Sequence, residues 1–208
     1  PSVVAMTILL SDPRVAGVPV RDDGSDLVAV EFAPLVLVRR PLAERLVRAR
    51  RNLPAGVDLK LVEGHRSLAD QQEIIDRYTT QVRESHPDAD EAEVRRLSSR
   101  FVSPIGVAPH VAGAAVDLTL VDAHGRELPM GSPVDATPEE SAGACWFDAD
   151  VDERARGNRS LLAAVLGREG LVNYPTEWWH WSYGDRYWAL TTGAPHALFG
   201  PVERPVAA

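Results

Sequence analysis

The sequence predicts a single α+β domain. Its 208 residues, 45% of them hydrophobic, suffice for one core of ordinary size, with little left for a second. Period-two strand segments and 3.6-period helical segments both occur, but they do not alternate as a doubly wound sheet requires. No internal repeat or low-complexity tract breaks the chain, so one domain spanning 1–208 is expected.

The segment 27–32, LVAVEF, reads as a strand, and PLAERLVRARRNLPAG reads as a helix with Pro41 in its first turn and Pro54 beyond its end. In 57–63, Val57, Leu59 and Leu61 alternate with polar neighbours, a second strand. Ser67, paired with Asp70, caps the next helix, whose apolar stripe is Leu68, Ile74, Ile75, Tyr78 and Val82 and which ends at His86-Pro87. Asp90 and Glu93 open a third helix carrying Leu97 and Phe101. VSPIGVAPH is a Pro-rich loop leading into the strand AAVDLTLVD, where Val116, Leu118 and Leu120 face one way and Asp117 and Thr119 the other. Residues 122–152 read as a long loop, of the kind that more often serves function than not. A helix over roughly 153–168 ends at Gly170, and the aromatic segment LVNYPTEWWHWSYGDRYWAL, with four of the five Trp, reads as terminal sheet.

Composition narrows the function. A net charge of -8 argues against a nucleic-acid partner that needs a basic face, and no apolar run is long enough to span a membrane. The start, PSVVAMTILLSDPR, lacks the basic region of a secretory signal, so a cytoplasmic setting is expected. The single Cys145 excludes an internal disulfide and any site built on several thiolates. With six His and 30 carboxylates, a transition-metal site here would use imidazole and carboxylate. Lys60 is the only lysine; its alternating apolar neighbours make it an outward-facing strand residue.

Three segments could carry chemistry. Asp117 lies in an otherwise apolar strand, a costly position for an unpaired carboxylate, and a turn at Gly113 could return His110 beside it. Glu177 and His180 stand three apart, so they share a side only if a bulge or turn interrupts the strand. Arg66, in EGHRS, sits where a strand passes into a helix. Singly, each has an ordinary explanation: a paired core carboxylate, an aromatic core segment with a satisfied His, a surface arginine. Together they supply two His and one Asp as ligands, with Glu177 left as general base beside metal-activated water and Arg66 as oxyanion stabiliser.

The order and separations of EGHRS, HVAGAAVDLTL and EWWHWSYGDRYWA resemble the D-alanyl-D-alanine dipeptidases, zinc peptidases akin to the vancomycin-resistance dipeptidase. The resemblance runs from about Ser11 to Pro201. It implies one zinc per chain held by His110, Asp117 and His180, Glu177 as base and Arg66 at the oxyanion. It also implies a central, mainly antiparallel sheet flanked by helices, shared with related cell-wall peptidases and the hedgehog signalling domain. MGSPVD is similar to the family block whose Asp contacts the substrate's free ammonium, which makes Asp135 the candidate for that role.

Departures from the family pattern surround the metal ligands. Ala108, Pro109, Val111 and Ala112 stand where hydroxyl residues are common, Val134 replaces an aromatic and His65 a Tyr. The expected activity is hydrolysis of a small dipeptide, on the family pattern D-alanyl-D-alanine, with selectivity open to change by the lost hydroxyls. A metalloamidase acting on another small amide, and a non-catalytic zinc-containing binding module, are the alternatives. His86, His124 and His196 read as surface or supporting residues, Cys145 as structural, and His65, beside Arg66, as a residue that could line the pocket.

Overall fold

A computed structural model describes residues 7–99 and 101–203; the first six residues, part of the apolar start, lie outside them. In chain order the elements are α1 (Pro13–Gly17), β1 (Leu27–Val30), β2 (Ala33–Arg39), α2 (Arg40–Arg51), β3 (Val57–Glu63), α3 (Leu68–Ser85), α4 (Glu91–Ser98), a single 3₁₀ turn (Ile105–Val107), β4 (Ala115–Asp122), α5 (Glu153–Arg168), β5 (Val172–Asn173), β6 (His180–Ser182) and α6 (Arg186–Thr192). The fold is α+β, as the irregular order of elements predicts. A β1–β2 hairpin accompanies a four-stranded sheet of order β3-β4-β6-β5, antiparallel at each pairing.

Strand β4 is central, and its residues from Ala115 to Val121 are buried. Val116, Leu118 and Leu120 share one core with Leu42 and Leu46 of α2, Leu162 and Leu166 of α5, and Trp178, Trp179 and Trp181. Each such side chain, fully buried, contributes roughly 1.5–3 kcal/mol, so one face of the sheet is clamped between helices. The opposite face is free to present Asp117. Loops and caps follow the local chemistry. The Ser67 hydroxyl accepts from the Asp70 N–H, and the Asp90 carboxylate accepts from the Glu93 N–H. Lys60 points outward and pairs with Glu127.

Four expectations need correction. The 171–190 segment is sheet only at its two short strands; Arg186–Thr192 is helical, because the Asp185 carboxylate caps the N–H groups of Tyr187 and Trp188, and this outweighs the aromatic strand preference. The strand read over 27–32 ends at Val30, where residues 31–32 turn the chain into β2, a hairpin partner to which the sequence reading gave no element. Phe101 lies beyond the end of α4. Leu68 is 37% exposed, whereas Tyr78 and Val82 are buried and Ile74 and Ile75 partly covered as the stripe predicts, with Gln71 buried beside them. Among the described residues no helix is long and apolar enough to cross a membrane.

Candidate functional site

Sheet register brings the site together. Glu63 of β3 lies opposite Asp117 of β4, and Asp117 lies opposite His180 of β6. A register shift between Leu61 and Glu63 re-aims the end of β3. His110 arrives from the turn before β4, where Gly113 adopts φ +64 and its N–H bonds to the His110 carbonyl. This left-handed φ is one that glycine adopts without strain, and a Cβ here would press on the tip of the Leu27 side chain. The backbone at the turn is pinned by Arg39, whose N–H bonds to Gly113 O and whose buried guanidinium bonds to Ala112 O at 3.0 Å.

Glu177 and His180 reach the same side because residues 174–179 turn before β6 begins. The His180 N–H bonds to Glu177 O, and the Asn173 amide donates to the carbonyls of Glu177 and His180. The interruption that the three-residue spacing demands is therefore a turn held by Asn173.

His110 Nε2 lies 3.3 Å from Asp117 Oδ2, His180 Nδ1 lies 3.1 Å from Asp117 Oδ1, and the two nitrogens are 3.1 Å apart. All three residues are buried, with ligand atoms within 4.8 Å of one another. His110 Nδ1–H donates to Gly64 O at 2.7 Å, which leaves a lone pair on Nε2 facing the Asp117 carboxylate. A proton or a metal cation between them relieves the repulsion, and two imidazoles with one carboxylate, their ligand atoms clustered and buried, are a donor set that fits a divalent metal. Charge coupling among these groups outweighs burial. Burial alone would lower the His110 pKa, yet Asp117 drives it up; burial alone would raise Asp117, yet His110 and His180 hold it well below the usual carboxylate range.

Glu177 Oε2 is 3.7 Å from His180 Nδ1. Burial, then the charges of Asp117 and Asp135, push its pKa well above the ordinary value, with Arg66 opposing. Arg66 is held by Glu63 through its Nε (2.7 Å) and Nη2, while Nη1 donates to Gln71 at 2.8 Å. Three of its five N–H groups are thus engaged and two remain. Its charge persists: burial opposes ionisation, but Glu63 outweighs burial.

Asp135 lines the same cavity of about 320 Å³ as Arg66, His110, Asp117, Glu177 and His180. It adopts φ +62, a strained conformation for a non-glycine residue, and burial followed by Asp117 and Glu63 raises its pKa to about 6. The loop that carries it is anchored from below by Arg159 of α5. This buried guanidinium donates to the carbonyls of Met130, Ala144, Trp146 and Phe147.

All six residues singled out in the sequence therefore line one cavity. His65 does not: its ring bonds to Val202 O, away from the cavity. Sequence reasoning assigned no task to Glu63, Gln71 or Arg159. A signal for Arg159 was present, since it interrupts the apolar stripe Ala155, Leu162, Leu166 at helical spacing. Glu63 and Gln71 are revealed only by the arginine they hold.

A family model described as D-ala-D-ala dipeptidase matches residues 36–196. The chain is 30% identical over 115 residues to a D-alanyl-D-alanine dipeptidase of Synechocystis sp. (49% of this chain, 47% of that protein). It is 41% identical over 71 residues to a D-alanyl-D-alanine dipeptidase of Escherichia coli strain K12 (34% of this chain, 35% of that protein). These matches span less than half the length of either relative. Among solved structures, VanYB in complex with D-alanine-D-alanine is 17% identical, with 81% of this chain and 84% of that chain covered and a TM-score of 0.47.

Proposed function

The chain belongs to the D-Ala-D-Ala dipeptidase family, and from that premise we propose that it is a zinc peptidase cleaving the amide bond of a small dipeptide, with D-alanyl-D-alanine as the reference substrate. The observation that carries this reading is the buried Glu177 carboxylate set beside a His110–Asp117–His180 triad, in one cavity with Arg66.

His110, Asp117 and His180 would hold one zinc ion, which when bound polarises the scissile carbonyl and makes water acidic enough to ionise near neutral pH. Glu177 takes the proton from the attacking water as the new C–O bond forms. It then delivers that proton to the departing amine as the C–N bond breaks. Its raised pKa suits the first half of the task, because a stronger base accepts the proton more readily. The unengaged N–H groups of Arg66 donate to the carbonyl oxygen as negative charge grows there, with Glu63 and Gln71 holding the guanidinium plane. Asp135 pairs with the ligand's free ammonium, which limits the substrate to a dipeptide.

A panel of D,D-, L,D- and L,L-dipeptides, each beside its N-acetylated form, tests the reading on zinc-loaded protein. Hydrolysis of at least one free-amino dipeptide, with about one zinc per chain, is expected. Absence of stoichiometric metal, or of any turnover, refutes it. One observation favours a second reading, a metalloamidase for another small amide: Ala108, Val111 and Ala112 are buried and offer no hydroxyl beside His110. Equal turnover of free and acetylated substrates would select it. Ligand binding without turnover in metal-replete protein would instead indicate a non-catalytic module, a role that explains neither Glu177 nor Arg66.

A further inference from the structure

The cavity reaches beyond the catalytic cluster along one face of α3. Ile74, Arg77, Tyr78 and Gln81 line it at the i, i+3, i+4, i+7 spacing of a single helical stripe. Five carboxylates also line it: Glu63, Asp117, Asp135, Glu140 and Glu177. Glu63 is paired with Arg66 and Asp117 with two imidazoles, but the remaining acids disfavour a ligand's own carboxylate unless a cation meets it. Two guanidiniums are present. Arg66 is already held by Glu63 and Gln71. Arg77 is exposed and makes no hydrogen bond or ion pair among the described residues. It lies six residues beyond Gln71, about 9 Å farther along the helix axis. An extended dipeptide is about 7 Å long, so a dipeptide held at Arg66 brings its end within reach of a flexible arginine. The wall between them is apolar: Ile74, and the Tyr78 and Phe101 rings with centroids 4.9 Å apart. The segment around His110, VAPHVAGAA, carries no side-chain hydroxyl, and the hydroxyls of Ser103 and Thr137 elsewhere in the cavity lining are neutral, so neither supplies a counter-charge.

We propose that Arg77 determines specificity by pairing with the C-terminal carboxylate of the bound dipeptide, whose C-terminal side chain rests on Ile74, Tyr78 and Phe101. The ligand class is then a dipeptide with both termini free and an apolar C-terminal side chain. This rests on the dipeptidase reading, with Asp135 at the amino end and Arg77 at the carboxyl end.

The test compares zinc-loaded wild type, Arg77→Gln and Arg77→Lys on D-alanyl-D-alanine, D-alanyl-D-leucine and their C-terminal amides. In parallel, calorimetry measures binding of the same compounds to Glu177→Gln and to Glu177→Gln/Arg77→Gln. Wild type should favour the acids over the amides by about tenfold in kcat/KM, carried by KM. Arg77→Gln should erase that preference with kcat little changed, and Arg77→Lys should keep part of it. D-alanyl-D-leucine should be used at least as well as D-alanyl-D-alanine; a clear loss removes the apolar wall from the proposal. An acid preference that survives Arg77→Gln overturns the role of Arg77 while leaving the dipeptidase reading intact. If wild type hydrolyses nothing, that reading fails and calorimetry decides for Arg77. An Arg77-dependent preference for the carboxylate upholds the site; binding indifferent to Arg77, or no binding, overturns it.

Discussion

Asp117 shows how much one side chain depends on its partners. A buried carboxylate is costly by itself, and here His110 and His180 more than offset the burial. Glu177, a few ångströms away, has carboxylates for neighbours, and its pKa moves in the opposite direction. Two acids in one cavity thus have their pKa values pushed apart, which the proposed roles of metal ligand for Asp117 and base for Glu177 require. Replacing Glu177 with Gln should reduce kcat by about 10²–10⁴ while the metal content, measured by elemental analysis, stays at wild-type level. Asp135 supplies a pH signature. On the proposed pairing with a ligand ammonium, its pKa of about 6 means the anion is lost as pH falls through 6, so KM for a free-amino dipeptide should rise below that point. KM should rise again above about 8, where the ligand's amine loses its proton. In Asp135→Asn the acid limb should vanish, which a KM–pH profile reads directly.

Elements carry the site through a few anchoring residues. Arg159 joins α5 to the loop bearing Asp135 by bonds to four carbonyls, and burial pulls its pKa down only to about 10, so it remains charged at neutral pH. Arg159→Met should cost roughly 3 kcal/mol or more, since several buried carbonyls lose their donors. It should also raise KM for free-amino dipeptides more than for acetylated ones. Thermal denaturation and paired kinetics measure the two effects separately. Gly113→Ala forces a side chain into a left-handed turn against Leu27. A loss of about 1–3 kcal/mol in stability and weaker zinc binding, because His110 shifts, are expected in a metal titration.

For the molecule as a whole, the buried triad makes metal and fold a linked system. Metal that binds only the folded chain stabilises it by about 2.7 kcal/mol at a concentration 100 times its Kd. Chelation should therefore lower Tm, and added zinc should restore it. A Tm indifferent to chelator would contradict the zinc reading independently of any activity assay. The same scale explains what was legible in advance. Periodicity and caps place α2, α3, α5, β3 and β4, because each rests on neighbours within a turn or a pleat. The segment 186–192 is misread because an aspartate cap decides it against aromatic propensity, and the strand read over 27–32 stops short because a turn at 31–32 opens the β1–β2 hairpin.

By itself the sequence determined the kind of site: with one cysteine and six histidines, only imidazole and carboxylate could hold a transition metal, and His110, Asp117, Glu177 and His180 were recognisable in their segments. Only the tertiary structure decided that Glu63, Asp117 and His180 stand abreast on three strands. It alone decided that Arg66 is braced by Glu63 and Gln71, that His65 turns away, and that α3 extends the cavity past Arg77. The reason is physical. Residue type and local spacing set what a side chain can do, whereas strand pairing between distant segments sets what it faces, and that pairing is the outcome of burial summed over the whole core.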